Sequence, residues 1–176
     1  DEGLNQVETS FSVVVVDTTA PTIDSMPLDI EVTTAFDSCQ AVATWGLPQA
    51  SDCSEFTIAT DVASGTTFGI GIHIVNFSFT DVHGNVSADS ILVRILDGET
   101  PLILGSLPDI TIDTGAGSCL VTAIWPEPTT TDCTTSALES NFSSGASFEV
   151  GTTTVVYTAT DSAGNQSSTR FDVTVL

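Results

Sequence analysis

Apolar and polar residues alternate with a period of two through most of this chain. Phe11-Ser-Val13-Val-Val15, Asp29-Ile30-Glu31-Val32, Ile72 to Phe79 (IHIVNFSF) and Thr154 to Ala159 (TVVYTA) follow this pattern. It marks strands that bury one face. β-Branched residues fill these runs, Pro and Gly interrupt them at short intervals, and no stretch keeps an apolar face at helical spacing. The pattern predicts an all-β fold, with a sandwich of about seven short strands in each structural unit.

The same pattern repeats after 80 residues without insertion or deletion: 17–96 and 97–176 agree at 25 of 80 positions. Asp81-Val-His-Gly84-Asn85 recurs as Asp161-Ser-Ala-Gly164-Asn165, and Cys39, Trp45, Cys53, Gly65, Phe68 and Gly71 recur as Cys119, Trp125, Cys133, Gly145, Phe148 and Gly151. Stretches that differ at most surface positions but keep one spacing share a backbone, so two copies of one domain are expected, 17–96 and 97–176. Each is long enough for its own small core and too long for a solenoid turn. Residues 1–16 lie in register with 81–96. They are expected to be the closing strand of a further copy, in a longer array or by insertion into another molecule.

Strand direction gathers the carboxylates. In the first copy, 22–34 run away from the near end, where the chain enters, and 39–46 run back. The loop 46–53 and the hairpin turn 81–85 then both lie at the near end. Asp17, Asp52 and Asp81 are thereby expected at the joint with a preceding copy, and Asp97, Glu99, Asp132 and Asp161 at the joint between the two copies present.

Charge narrows the partners. The chain has 23 acidic residues, two basic ones (Arg94 and Arg170) and no Lys, giving a formal net charge of −21. Nucleic acid is excluded as a partner, because binding it requires clustered cations. Anionic membrane surfaces are disfavoured on the same ground, and no run approaches the ~20 apolar residues of a membrane span. Solubility, salty surroundings and divalent cations are favoured.

Four cysteines fall at two equivalent positions per copy, spaced C-x13-C, with no histidine at a repeated position. This is not a zinc pattern. Local disulfides Cys39–Cys53 and Cys119–Cys133 are expected, each contributing ~3 kcal/mol in the chain-entropy picture, and they imply secretion or surface display. Asn-x-Ser sequons at Asn76, Asn85, Asn141 and Asn165 are candidate N-glycosylation sites.

The chain resembles the HYR (hyalin repeat) domain. An acidic residue and a Pro open each copy (Asp17-Thr-Thr-Ala-Pro21; Asp97-Gly-Glu-Thr-Pro101), and a stretch similar to the family's Val-x-Trp-x-x-Pro follows (Val42-Ala-Thr-Trp45-Gly-Leu-Pro48; Trp125-Pro-Glu-Pro128). The close, Phe148-Glu-Val-Gly151-Thr-Thr-Thr-Val-Val-Tyr157-Thr-Ala-Thr-Asp161-Ser-Ala-Gly-Asn165, matches the family signature nearly residue for residue. The resemblance implies tandem immunoglobulin-like β-sandwiches and a non-catalytic structural or adhesive role outside the cell, in a stalk or fibril. Its partners would be neighbouring repeats, a self-assembled fibril, or a cell-surface protein or glycan. A second disulfide common in the family is absent: the residue before the early Pro is Met26 or Leu107, and the late site is Asp89 or Thr169.

Each candidate site has a plain alternative. Trp45 and Trp125, with Tyr157 and its counterpart Phe77, read as core aromatics, each Trp beside a disulfide, rather than sugar platforms. The Asp-x-x-Gly-Asn turns need Gly and Asn for positive φ and Asp to bond its own amides; calcium held at the joints by Asp17, Asp52, Asp81, Asp97, Glu99, Asp132 and Asp161 is the sharper reading. No cofactor is required beyond such calcium. A carbohydrate or protein ligand at the near-end loops would rest on Phe56, the aromatic of loop 46–56. Catalysis has no constellation: no Ser-His-Asp set, Gly-x-Ser-x-Gly, phosphate loop or metalloprotease motif appears.

Overall fold

The computed structural model describes residues 6–115 and 117–176. Sixteen strands and no helix are present among them, eight strands in each copy. The first copy contains β1 (Thr22–Ser25), β2 (Ile30–Thr33), β3 (Gln40–Ala43), β4 (Gln49–Ser51), β5 (Phe56–Thr60), β6 (Thr66–Gly69), β7 (Gly71–Asp81) and β8 (Val86–Leu96). The second contains β9 (Leu102–Leu104), β10 (Ile110–Ile112), β11 (Leu120–Thr122), β12 (Thr129–Thr131), β13 (Ser136–Ser140), β14 (Ser147–Glu149), β15 (Gly151–Asp161) and β16 (Gln166–Val175).

Both copies order their main sheet identically, β2-β8-β7-β5 and β10-β16-β15-β13. The pairs β1-β4, β3-β6, β12-β9 and β11-β14 make up the rest. The stretch 22–34 is two strands, not one. The chain breaks at Met26-Pro27-Leu28, where Pro cannot donate to a ladder; β1 pairs antiparallel with β4 and β2 pairs parallel with β8. A short strand also lies inside each expected near-end loop, which brings the count to eight rather than seven.

Contacts divide the chain into two compact units, one of residues up to Leu28 with Gly46–Ala63 and Val75–Ile91, the other of Asp29–Trp45, Ser64–Ile74 and Leu92–Leu176. The second unit contains the whole second copy. Its core is fed by alternation: Val155, Tyr157 and Ala159 of β15 and Phe171, Val173 and Val175 of β16 face inward. Ala123, Trp125 and Phe148 close over them, with Ile103, Leu107, Ile110, Ile112, Val121 and Leu138 at the margin. Each fully buried side chain of this size contributes about 1.5–3 kcal/mol. In the first unit, β5 pairs with β7 from Phe56↔Asp81 to Thr60↔Phe77, and Val75, Phe77, Phe79 and Ile91 are buried.

Trp125 is a core residue, as expected, but no disulfide lies beside it. Its neighbours are Phe171, at 5.2 Å between ring centroids and nearly perpendicular, Phe148 at 6.1 Å, and Tyr157. The indole N–H donates to the Tyr157 hydroxyl at 2.7 Å, which in turn donates to Glu127 Oε2. The first copy has Phe77 and Leu47 at the last two positions, and its Trp45 is only half-buried, against Phe68.

Residues 6–16 form no strand. Phe11, Val13 and Val15 are 75–90% exposed, an apolar stripe without a sheet to cover it among the described residues.

Candidate functional site: the joint between the copies

The connection Asp97-Gly98-Glu99 lies in the second unit together with 29–45 of the first copy. Three contacts bind the copies there. Thr34, buried, accepts a hydrogen bond from Gly98 N at 3.1 Å and donates its own N–H to Leu96 O at 2.9 Å. Gly98 fits closely: a Cβ there would lie 2.3 Å from Thr33 Cγ2 and 3.1 Å from Thr34 O. Glu99 Oε1 accepts the N–H of Asp37 at 2.9 Å, with Asp37 held at φ 60°. The third contact is covalent.

Cys39 is bonded to Cys133, with Cα atoms 5.2 Å apart, and Cys53 and Cys119 are free and exposed. The local bridges expected from the sequence, Cys39–Cys53 and Cys119–Cys133, are therefore replaced by one bridge from copy to copy. Register explains why. Leu120 pairs with Glu149, beside the Gly151 end of β15, whereas Ser136 pairs with Asp161 at its other end. Cys119 and Cys133 thus sit at opposite ends of a strand of 11 residues, about 33 Å long. A disulfide tolerates a Cα separation of at most about 7 Å. The first copy repeats these registers, Gln40↔Gly69 and Phe56↔Asp81. The strand directions read from the sequence already separated each local pair.

Beside the bridge, Asp97, Asp132 and Asp161 converge, with one carboxylate oxygen from each lying within 4.8 Å of the others. Asp97 and Asp161 are buried. Asp161 Oδ1 accepts from Ala163 N and Asn165 N at 2.8 Å each, and Oδ2 from Asn165 Nδ2 at 2.8 Å. Burial pushes its acid upward, but the Asn165 side chain and the N–H groups of Asn165, Gly164 and Ala163 outweigh that and hold it below the usual carboxylate range. Asp97 Oδ1 accepts Glu99 N at 3.1 Å, and the Thr134 hydroxyl lies 2.8 Å from Asp97 Oδ2 and 3.0 Å from Asp132 Oδ2. Asp132 Oδ1 is buried and has no hydrogen-bond partner. Glu99, expected in this cluster, instead turns to Asp37 and the Cys133 sulfur, 3.3 Å from Oε2.

The first copy carries a related arrangement, in the first unit. Asp17 groups with Asp81 and His83, and separately with Asp52 and Cys53. The Cys53 thiol donates to Asp17 Oδ2 at 3.2 Å. That bond, then burial and the Asp17 and Asp52 charges, push the thiol up. Hydrogen bonds from Thr19 N, Cys53 and Ser54 hold Asp17 down. His83 and Cys53 were not read as members of this group; His83 has no counterpart in the second copy, which is why the repeat did not mark it.

The Asp-x-x-Gly-Asn turns are built as expected for Asp and Gly, with φ 88° at Gly84 and 94° at Gly164. Asn acts differently. It does not adopt positive φ; its Nδ2 bonds both the turn carboxylate and the backbone carbonyl at the start of the copy, Asn85 to Asp17 O at 3.3 Å and Asn165 to Asp97 O at 3.2 Å. All four sequon amides donate, Asn85 and Asn165 within these turns, Asn76 to Asp61 Oδ2 at 2.7 Å and Asn141 to Thr154 O at 3.0 Å, but Asn76 and Asn141 are exposed and the turn pair half-buried. Phe56 is a half-buried residue of β5 opposite Asp81, not a loop aromatic.

Comparison with known proteins places these features. The model of the HYR domain matches residues 16–95 and 101–175. Hyalin of Strongylocentrotus purpuratus is 30% identical over 95% of this chain, hyalin of Lytechinus variegatus 28% over 95%, and the mouse sushi, von Willebrand factor type A, EGF and pentraxin domain-containing protein 1 33% over 85%. The chain spans 14%, 33% and 4% of those proteins respectively. A crystal structure of Drosophila N-cadherin EC1-4 aligns over 90% of this chain and 50% of that one, at 14% identity and a TM-score of 0.45. With two tandem matches covering most of its length, the chain belongs to the HYR domain family.

Proposed function

We propose that the chain is a non-catalytic, extracellular structural and adhesion module, a segment of a tandem HYR stalk or fibril in which 17–96 and 97–176 are successive domains. The observation that carries this reading is the joint: Gly98, Glu99 and the Cys39–Cys133 bridge hold one copy to the next. The disulfide supports an oxidising compartment, and the net charge of −21 suits a soluble surface structure. Partners are neighbouring repeats, in the same chain or in a fibril, and a cell-surface protein. The test is antibody labelling of intact cells and their surrounding matrix. Labelling before permeabilisation is expected; labelling only after it overturns the reading.

A second reading is favoured by the unpartnered Asp132 Oδ1: the joint takes a calcium ion through Asp97, Asp132 and Asp161. Hard cations take six to eight oxygens from carboxylates, carbonyls and water, and three carboxylates this close otherwise repel. Asp161 spends both oxygens on its turn and Asp97 accepts at both of its own, so the unpartnered Asp132 Oδ1 is the principal ligand. The proposed counterpart at the preceding joint is Asp17, Asp52 and Asp81. Calcium at 100 times its Kd would stabilise by about 2.7 kcal/mol, read as a rise in melting temperature that chelator reverses and Asp132→Asn removes. An unchanged melting temperature refutes it.

A further inference from the structure

The two free cysteines occupy the positions that are bonded at the joint. Cys119 is the equivalent of Cys39, and Cys53 the equivalent of Cys133. Their settings match as well as their sequence positions. The Ser38 hydroxyl donates to Gln40 O at 2.8 Å and the Ser118 hydroxyl to Leu120 O at 2.7 Å, so one turn presents Cys39 and Cys119. Cys53 and Cys133 each follow an Asp that accepts from the next residue's hydroxyl, Ser54 to Asp52 Oδ2 at 2.9 Å and Thr134 to Asp132 Oδ2 at 3.0 Å. Each also has a carboxylate of the connecting segment against its sulfur, from non-equivalent positions, Asp17 at 3.2 Å and Glu99 at 3.3 Å.

We infer that Cys53 and Cys119 are the two outward halves of a disulfide ladder. Cys53 bonds the far-end cysteine of a preceding repeat, Cys119 bonds the near-end cysteine of a following repeat, and each joint of the array carries one covalent link. Every repeat then has two cysteines that never bond each other. The repeat explains the bridge span: 94 residues separate Cys39 from Cys133, one 80-residue period plus the 14 positions between the two cysteines of a copy. A ladder of this kind needs both cysteines in every interior repeat. It also accounts for two exposed thiols in a family whose setting is oxidising. Each rung closes by exchange with an oxidised disulfide carrier, protein or small molecule: two thiols lose their protons and two electrons, one S–S bond forms in the ladder, and the carrier is released as two thiols.

This inference rests on the array reading, and the test separates the two. Non-reduced peptide mapping of the native polypeptide, flanking repeats included, should recover Cys53 and Cys119 each linked to a cysteine of an adjacent repeat. Flanking repeats with Cys53 and Cys119 recovered as free thiols overturn the ladder and leave the array; a native polypeptide without flanking repeats overturns both. In the 176-residue chain itself, alkylation should label Cys53 and Cys119 only. The substitution Cys39→Ser should add Cys133 as a third labelled thiol. Under local pairing it would free Cys53 and leave Cys119–Cys133 intact, which would refute the ladder. A chain whose Cys39→Ser variant fails to fold is decided by the wild-type mapping alone.

Discussion

Replacing Tyr157 by Phe deletes one oxygen and leaves the ring that fills the core. Its cost follows from the hydrogen-bond chain. Tyr157 is 2% exposed and Trp125 5%, so the indole N–H that loses its acceptor at 2.7 Å cannot turn to water. A buried donor left without a partner costs about 1–3 kcal/mol. Glu127, being exposed, regains solvent and adds little. About 2 kcal/mol is expected, or roughly 8–16 °C in melting temperature for a domain of this size. The pH dependence provides an independent signature. Burial first, and then the Glu127 carboxylate, raise the Tyr157 hydroxyl above its usual value. The folded state therefore keeps a proton that the unfolded chain releases near pH 10, and stability is present in full below that pH and declines as pH rises beyond it. Tyr157 is the only tyrosine and the chain has no lysine, so tyrosinate absorbance follows this group alone. Scanning calorimetry of wild type and Tyr157→Phe, with absorbance titration, checks both claims. A loss below 0.5 kcal/mol, or tyrosinate appearing at its ordinary pH in the folded protein, would refute the reasoning. The double variant Glu127→Leu/Tyr157→Phe should show no recovery, because the indole remains orphaned.

Gly98→Ala brings a methyl group onto Thr33 Cγ2 and is expected to cost about 1–3 kcal/mol by overpacking, with Thr33→Ala in the same chain restoring most of it in urea unfolding. Asp161 is held below the usual range, so its contribution to stability is present above about pH 4 and is lost as pH falls through the folded value; Asp161→Asn should flatten the acid limb of the urea midpoint against pH. In a glycosylating host, glycopeptide mass spectrometry should find carbohydrate at the exposed Asn76 and Asn141 and none at the half-buried Asn85 or Asn165, which lie inside tight turns.

The strand pattern was legible because each strand buries one face, and alternation such as Val155, Tyr157, Ala159 records that directly. Strand direction was legible too: it gathered Asp97, Asp132 and Asp161 from three separate stretches. The disulfide pairing was not legible from spacing: the cysteines of one copy are near in sequence, but β3 and β11 lead away from Cys39 and Cys119, and the bond forms between copies. The short strands β4 and β12 were hidden by their polar composition. Thr129-Thr130-Thr131 is β-branched but has no apolar alternation, and only the ladder to Leu102–Leu104 shows it as a strand. Ser64 and Ser144 were missed as well. Each brackets the backbone of its Trp, accepting the Trp N–H at 2.8 or 2.9 Å and donating to the Trp carbonyl; their identity across the repeat, next to a Gly present in both copies, was the available signal.

The bridge also redirects mechanical load. A pull applied to the two termini can follow the covalent path from Cys39 across to Cys133 and out through the second copy, so the 94-residue span between them cannot be drawn out while the bond holds. About 310–340 Å of contour length is thereby locked away, including all of β3 to β12. Reduction would expose that length to a pull strong enough to unfold the copies, so the extensible reserve of tandem copies joined this way depends on the redox state of their surroundings.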